Sequence, residues 1–181
     1  MDISKCIDLH SYSSSKGFLG YIDHAGDDAR SGADYALDIF ESFLSSVGGE
    51  VVLFTTMAFK GSGSELKKIY GYEGADFESF IESASGFISD EYDESCSFRV
   101  LPLKSNDFRQ SGLASACYII MALGGVCGHL FIFSKAASVI VYPHDDTGFG
   151  VISVDDDNLS SCFFDFFNTS CFNIHLKKQS L

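Results

Sequence analysis

The stretch Leu130-Phe131-Ile132-Phe133-Ser134, then Val139-Ile140-Val141-Tyr142-Pro143-His144-Asp145-Asp146-Thr147-Gly148-Phe149-Gly150-Val151-Ile152 decides the fold. Three β-branched and aromatic runs overlap it, over residues 129–134, 138–142 and 149–154. A Lys-Ala-Ala turn separates the first two, and an Asp-Asp-Thr-Gly turn precedes the third. Links this short leave no room for crossover helices, so the runs must pair antiparallel.

Working upstream, the apolar run 117–123 reads as one more strand, joined to 129–134 across the glycines at 124, 125 and 128. Residues 98–103 and 51–59 also carry strand-like composition, and 51–59 reads as buried. Two short pieces near the start, 6–12 and 18–22, complete the β signal. Helical spacing appears elsewhere. Tyr35/Ala36, Ile39/Phe40, Phe43/Leu44 and Val47 recur on one face, so a helix is expected from about Ser31, capped by Ser31 or Asp34 and stopped at Gly48-Gly49. Ser64–Lys68 starts a short helix. Residues 76–89 form an amphipathic one, with Phe77, Phe80, Ile81, Ala84, Phe87 and Ile88 together and Asp76 near the cap. Residues 159–167 form the last helix, with Phe163, Phe166 and Phe167 inward and Asp155-Asp156-Asp157 favourably placed at its positive end. A terminal strand follows at 172–176. The expected fold is α+β: one domain over 1–181, a mostly antiparallel sheet in the second half, and helices packed on it.

The chain has 181 residues, and 46% of them are hydrophobic. Such a chain buries roughly 70% of its unfolded surface and needs no staple. Its six cysteines include no Cys-x-x-Cys, and several sit in apolar runs, so they read as small buried hydrophobes. No stretch approaches the ~20 apolar residues of a membrane span. The start, Met-Asp-Ile-Ser-Lys-Cys-Ile-Asp, lacks a basic then apolar leader. A cytoplasmic location is the expectation.

Charge excludes more. Twenty-five acids face twelve bases, a net charge of −13. The excess runs through both halves, and the three arginines (Arg30, Arg99, Arg109) are scattered. Phosphate binding needs clustered Lys and Arg, so neither nucleic acid nor an anionic membrane is an expected partner. A basic protein partner is; the plainer alternative is that acidity only aids solubility.

The motifs of common chemistries are missing. Gly61-x-Gly63 has leucine at position 66 and no Walker lysine, and there is neither a Gly-x-Ser-x-Gly elbow nor a His-Glu-x-x-His. Asp155–Asp157 lacks the glycine and glutamate of a calcium loop. Cys127 and His129 alternate along one strand face, which suits a nucleophile and its base; a core cysteine beside a satisfied histidine is the plainer account. His144, Asp145 and Asp146 offer ligands to a divalent metal, with His24, Asp27 and Asp28 as a cluster the fold would have to recruit. Contiguous ligands point in different directions, however, so neither a metal nor another cofactor is expected. Tyr70, Tyr72 and Tyr92, beside acids, suit an interface.

The hairpin tract 130–152 resembles small bacterial immunity-type proteins of toxin–immunity systems, including contact-dependent growth inhibition. In these a strand pair runs into an Asp-Asp-x-Gly turn, and an apolar run and a helix follow. Arginine often precedes that turn glycine in related sequences. Thr147 stands there in this chain, which leaves the subfamily open. The resemblance implies a non-enzymatic inhibitor that binds one cognate toxin domain, often a nuclease. It carries over no catalytic residue. Charge clustering gives the candidate contact residues: Asp90, Glu91, Asp93 and Glu94 in one acidic loop, then Asp145 and Asp146. Two alternatives stand beside it. One is a metal-assisted or cysteine-dependent enzyme. The other is an adaptor that binds a basic peptide. A homodimer through a sheet edge, with 51–59 as that edge, is also open.

Overall fold

The computed structural model describes residues 3–56, 99–123, 128–155 and 162–177. Its centre is a seven-stranded sheet. In chain order the elements are β1 (Phe18–His24), α1 (Ala29–Val47), β2 (Glu50–Thr55), β3 (Arg99–Lys104), α2 (Leu113–Tyr118), β4 (Leu130–Ser134), β5 (Val139–His144), β6 (Gly148–Ser153), α3 (Cys162–Phe166) and β7 (Phe172–Leu176). The strand order is β3-β2-β4-β5-β6-β1-β7, and every neighbouring pair is antiparallel. The fold is α+β, as the hairpin tract implies. The expected helix at 76–89 and the turn of helix at 64–68 lie outside the described residues.

Period-two alternation sends strand side chains to two faces, and both are apolar. One face carries Ile22, Val51, Leu53, Ile132, Val139, Val141, Phe149 and Val151, and the three helices pack on it. Phe40 of α1 lies 4.6 Å from Phe149, centroid to centroid, and Phe43 lies 5.0 Å from Phe163 of α3. The other face carries Val52, Phe54, Phe131, Ile140, Tyr142 and Ile152. The N-terminal segment covers these with Ile3, Ile7 and Tyr12.

Helix α1 begins earlier than the sequence suggests. Asp28 is the cap: its Oδ1 accepts from the Arg30 and Ser31 amides at 3.1 and 3.4 Å. Ser31 works from inside the first turn, donating its hydroxyl to Asp28 Oδ2 at 2.6 Å. That hydroxyl, then the Ser31 amide, holds the Asp28 carboxyl below its ordinary value. The helix ends as expected at Gly48, φ 64°.

Three expectations are corrected. Residues 117–123 are not a strand. They are the end of α2 and a wider π-type turn over Ile119–Leu123. Residues 113–119 are all buried, so this helix shows no polar face, and a continuous apolar run cannot be told from a buried strand by periodicity. Residues 6–12 are not a strand either. One-turn helices form at Ile3–Lys5 and Tyr12–Ser14. Between them Asp8 Oδ1 takes the His10 and Ser11 amides at 3.0 and 3.3 Å, while Ser15 Oγ takes the Asp8 amide at 2.9 Å. Such local bonds compete with a ladder. Finally, β2 is no edge: β3 flanks it on one side and β4 on the other. The described part of the last helix, α3, buries Phe163 and Phe164, with Phe167 just beyond it and Phe166 only half-buried. Among the described residues no helix is long and apolar enough to cross a membrane.

Candidate functional site

The β5–β6 connection is a three-residue loop, Asp145-Asp146-Thr147, closed by the pairing of His144 with Gly148. Loops of this length place a residue with positive φ before the second strand. Here it is Thr147, φ 60°. A β-branched residue rarely adopts that conformation. Burial holds it, and the hydroxyl donates to the Met121 carbonyl at 3.4 Å. The loop is therefore tied to the turn that follows α2.

Beside the loop, His144 reaches across to β1. Its Nε2–H donates to the Ile22 carbonyl at 2.8 Å. Gly148 makes room: a Cβ there would land on that same carbonyl oxygen. The bond places the proton on Nε2 and leaves the Nδ1 lone pair as an acceptor. Nδ1 is buried and has no hydrogen-bond partner. An unsatisfied buried acceptor costs roughly 1–3 kcal/mol. Burial pushes the His144 pKa down, against the Ile22 bond and the negative charges of Asp146, Asp145 and Asp23.

The side chains grouped beside His144 come from two strands, β1 and β7. Tyr21 of β1 meets its ring edge-on at 5.6 Å and stacks on His175 of β7 at 4.4 Å. His175 Nε2 lies 3.1 Å from Asp23 Oδ1. Tyr21 sits opposite His175 on one side and Gly150 on the other, and Gly150 sits opposite Tyr142. With no side chain at Gly150, the Tyr142 ring lies over that position. Burial raises the Tyr142 hydroxyl to about 12, so it stays protonated.

Asp145 and Asp146 are both exposed. One potential ligand atom from each, and one from His144, lie within 4.8 Å of one another. The expectation that contiguous donors diverge is thus corrected: the tight loop reverses the chain and turns them together. Among the described residues no other group of three such donors forms. The suggested recruits are used elsewhere, with His24 Nδ1 3.2 Å from the Gly26 carbonyl and Asp28 capping α1. Asp90, Glu91, Asp93, Glu94, Cys127, Tyr70, Tyr72 and Tyr92 lie outside the described residues. The sequence reading missed Tyr21, Asp23 and His175. The pairing of β1 with β6, and of β6 with β5, brings Tyr21 and Asp23 toward His144, the β1–β7 register sets His175 beside Tyr21, and no motif marks either. Compared with family models, curated proteins and solved structures, the chain matches none.

His129, the other half of the suggested Cys–His pair, has a structural setting. Its amide donates to Thr56 Oγ1 at 2.8 Å, its carbonyl accepts from Thr55 Oγ1 at 3.0 Å, and its Nδ1 bonds the Tyr12 hydroxyl. The ring stacks on Phe131 at 5.7 Å. Burial lowers its pKa, so the folded protein holds it neutral where the unfolded chain binds a proton. Its contribution is complete above the unfolded value of about 6.5 and is lost as pH falls below that, by at most about 1.4 kcal/mol per pH unit. Urea midpoints measured from pH 7.5 down to 5 should fall, and His129→Gln should flatten part of that slope. An unchanged slope in the variant would remove His129 as a source.

Proposed function

We propose that this chain is an immunity-type inhibitor: it binds one cationic toxin domain, a nuclease, and neutralises it stoichiometrically in the cytoplasm by covering its active site or substrate surface. The observation that carries this reading is a stiff acidic hairpin tip on a protein of net charge −13. Asp145 and Asp146 project from a loop braced by Thr147 and His144, and no cation pairs with them among the described residues. A preformed tip loses little entropy on binding. Opposite charge speeds encounter with a groove built for phosphate, and a few buried anchors supply affinity. Asp90, Glu91, Asp93 and Glu94 form the second proposed contact.

The test begins with tagged protein as bait in its native host at low salt, with bound proteins identified by mass spectrometry. The expected prey is one basic domain whose toxicity is relieved by co-expressing this chain. With that domain in hand, Asp145→Lys with Asp146→Lys should slow association about tenfold or more at low salt and flatten its salt dependence. Unchanged kinetics would remove the hairpin tip from the contact. Absence of any such prey would count against the inhibitor reading itself.

A further inference from the structure

The end of β5 and the loop after it bring three potential ligands together: His144, Asp145 and Asp146. Asp145 and Asp146 carry two negative charges with no cationic partner among the described residues. His144 adds a neutral nitrogen with a free lone pair. Its Nε2–H is committed to the Ile22 carbonyl at 2.8 Å, and its Nδ1 is buried without a donor. The orphaned nitrogen is an observation separate from the acidic pair, and it calls for the same thing: a positive centre that accepts electron pairs. A hydrogen-bond donor would answer the nitrogen alone; a cation would answer the nitrogen and draw in the two carboxylates, which are exposed to water.

We propose that this loop is a divalent-cation site, in which His144 Nδ1 and one carboxylate oxygen each from Asp145 and Asp146 bind a zinc-type ion, with water completing the shell. One imidazole and two carboxylates suit Zn²⁺ better than Ca²⁺ or Mg²⁺, which favour all-oxygen shells. The spacing fits. Donors about 2.1 Å from a shared ion stand at most about 4.2 Å apart. One ring nitrogen of His144 and one carboxylate oxygen of each aspartate already lie within 4.8 Å of one another, and the exposed carboxylates can rotate toward Nδ1 to close the remainder. The Ile22 carbonyl plays the part that a backbone acceptor plays behind a metal-bound histidine: it fixes the tautomer and the ring orientation. Asp23 strengthens the negative field, although its own carboxylate is engaged with His175. With three protein donors the site keeps water-filled positions open. It loads in the chain alone, so its test needs no toxin domain; a bound ion would offset the two carboxylate charges that the inhibitor reading uses.

The test uses the full chain, stripped with chelator and titrated with Zn²⁺. Calorimetry should give one saturable equivalent, and long-range proton–nitrogen spectra of the histidine rings should show the His144 Nδ1 signal moving with occupancy while the His10, His24, His129 and His175 signals stay. Asp145→Asn with Asp146→Asn alters only exposed positions and should keep the fold. It should weaken binding more than the tenfold that loss of an outer partner commonly causes. Saturation at a different histidine, equal affinity in the double variant, or no saturable binding up to millimolar zinc would each overturn the proposal. The wild-type His144 signal decides the matter even if a variant misfolds.

Discussion

Phe40→Ala is expected to lower stability by roughly 3–5 kcal/mol, the range for emptying a large aromatic site in a packed core. Phe40 is fully buried. Its ring lies 4.6 Å from Phe149 of the sheet, 5.3 Å from Phe108 ahead of α2, and 6.2 Å from Phe163 of α3. One side chain therefore joins α1, the sheet, the α2 approach and α3. The surrounding rings are large and held by one another, so they cannot collapse into the space. Domains of this size have about 5–15 kcal/mol in hand, so the loss would be a large share. Tyr35, also on α1 but 39% exposed, is the control: Tyr35→Ala should cost under about 1 kcal/mol. Urea unfolding followed by circular dichroism measures both. Equal, small losses would show that the cluster around Phe40 is not the mechanical centre of the helix layer.

The sequence signals that survived folding are those whose meaning is local. Asp-Asp-Thr-Gly between two β-branched runs can hardly be anything but a hairpin, and strands β4, β5 and β6 fall where that pattern puts them. The Gly48-Gly49 stop is local too. Signals that depend on distant partners misled. The run at 117–123 is apolar on every side because α1 and β5 enclose the helix there. A residue string cannot show that enclosure, and β composition wins by default. The segment at 6–12 alternates like a strand, yet Asp8 and Ser15 consume the amides that a ladder would need. The candidate site shows the same division. His144, Asp145 and Asp146 are visible as contiguous donors. Their convergence comes from the loop, and the company of Tyr21, Asp23 and His175 comes from β1 being placed between β6 and β7. Chain order gives no hint of that insertion.

Strand β1 also explains why one glycine matters more than its neighbours. Gly148→Ala is expected to be among the most damaging single-methyl additions to the described residues. The added Cβ would land on the Ile22 carbonyl oxygen and stand 2.7 Å from Ile22 C and 3.1 Å from the Asp23 Cα. All three are backbone atoms of a strand paired on both sides, so no side chain can swing away. The strands must part, and overpacking of this kind costs about 3 kcal/mol or more. Gly150→Ala meets the outer end of the Tyr142 ring instead. That ring is buried but is a side chain, so relaxation is available and the cost should be smaller, about 1–3 kcal/mol. A second readout separates strain from general damage. The Ile22 oxygen is also the acceptor for His144 Nε2–H. Displacing it in Gly148→Ala releases the imidazole tautomer, and the two ring nitrogens should approach averaged signals under conditions where the variant remains folded. Gly150→Ala should keep the wild-type tautomer. If both variants lose the same stability and both keep Nε2–H, the close approach of β6 to β1 is not what orients His144.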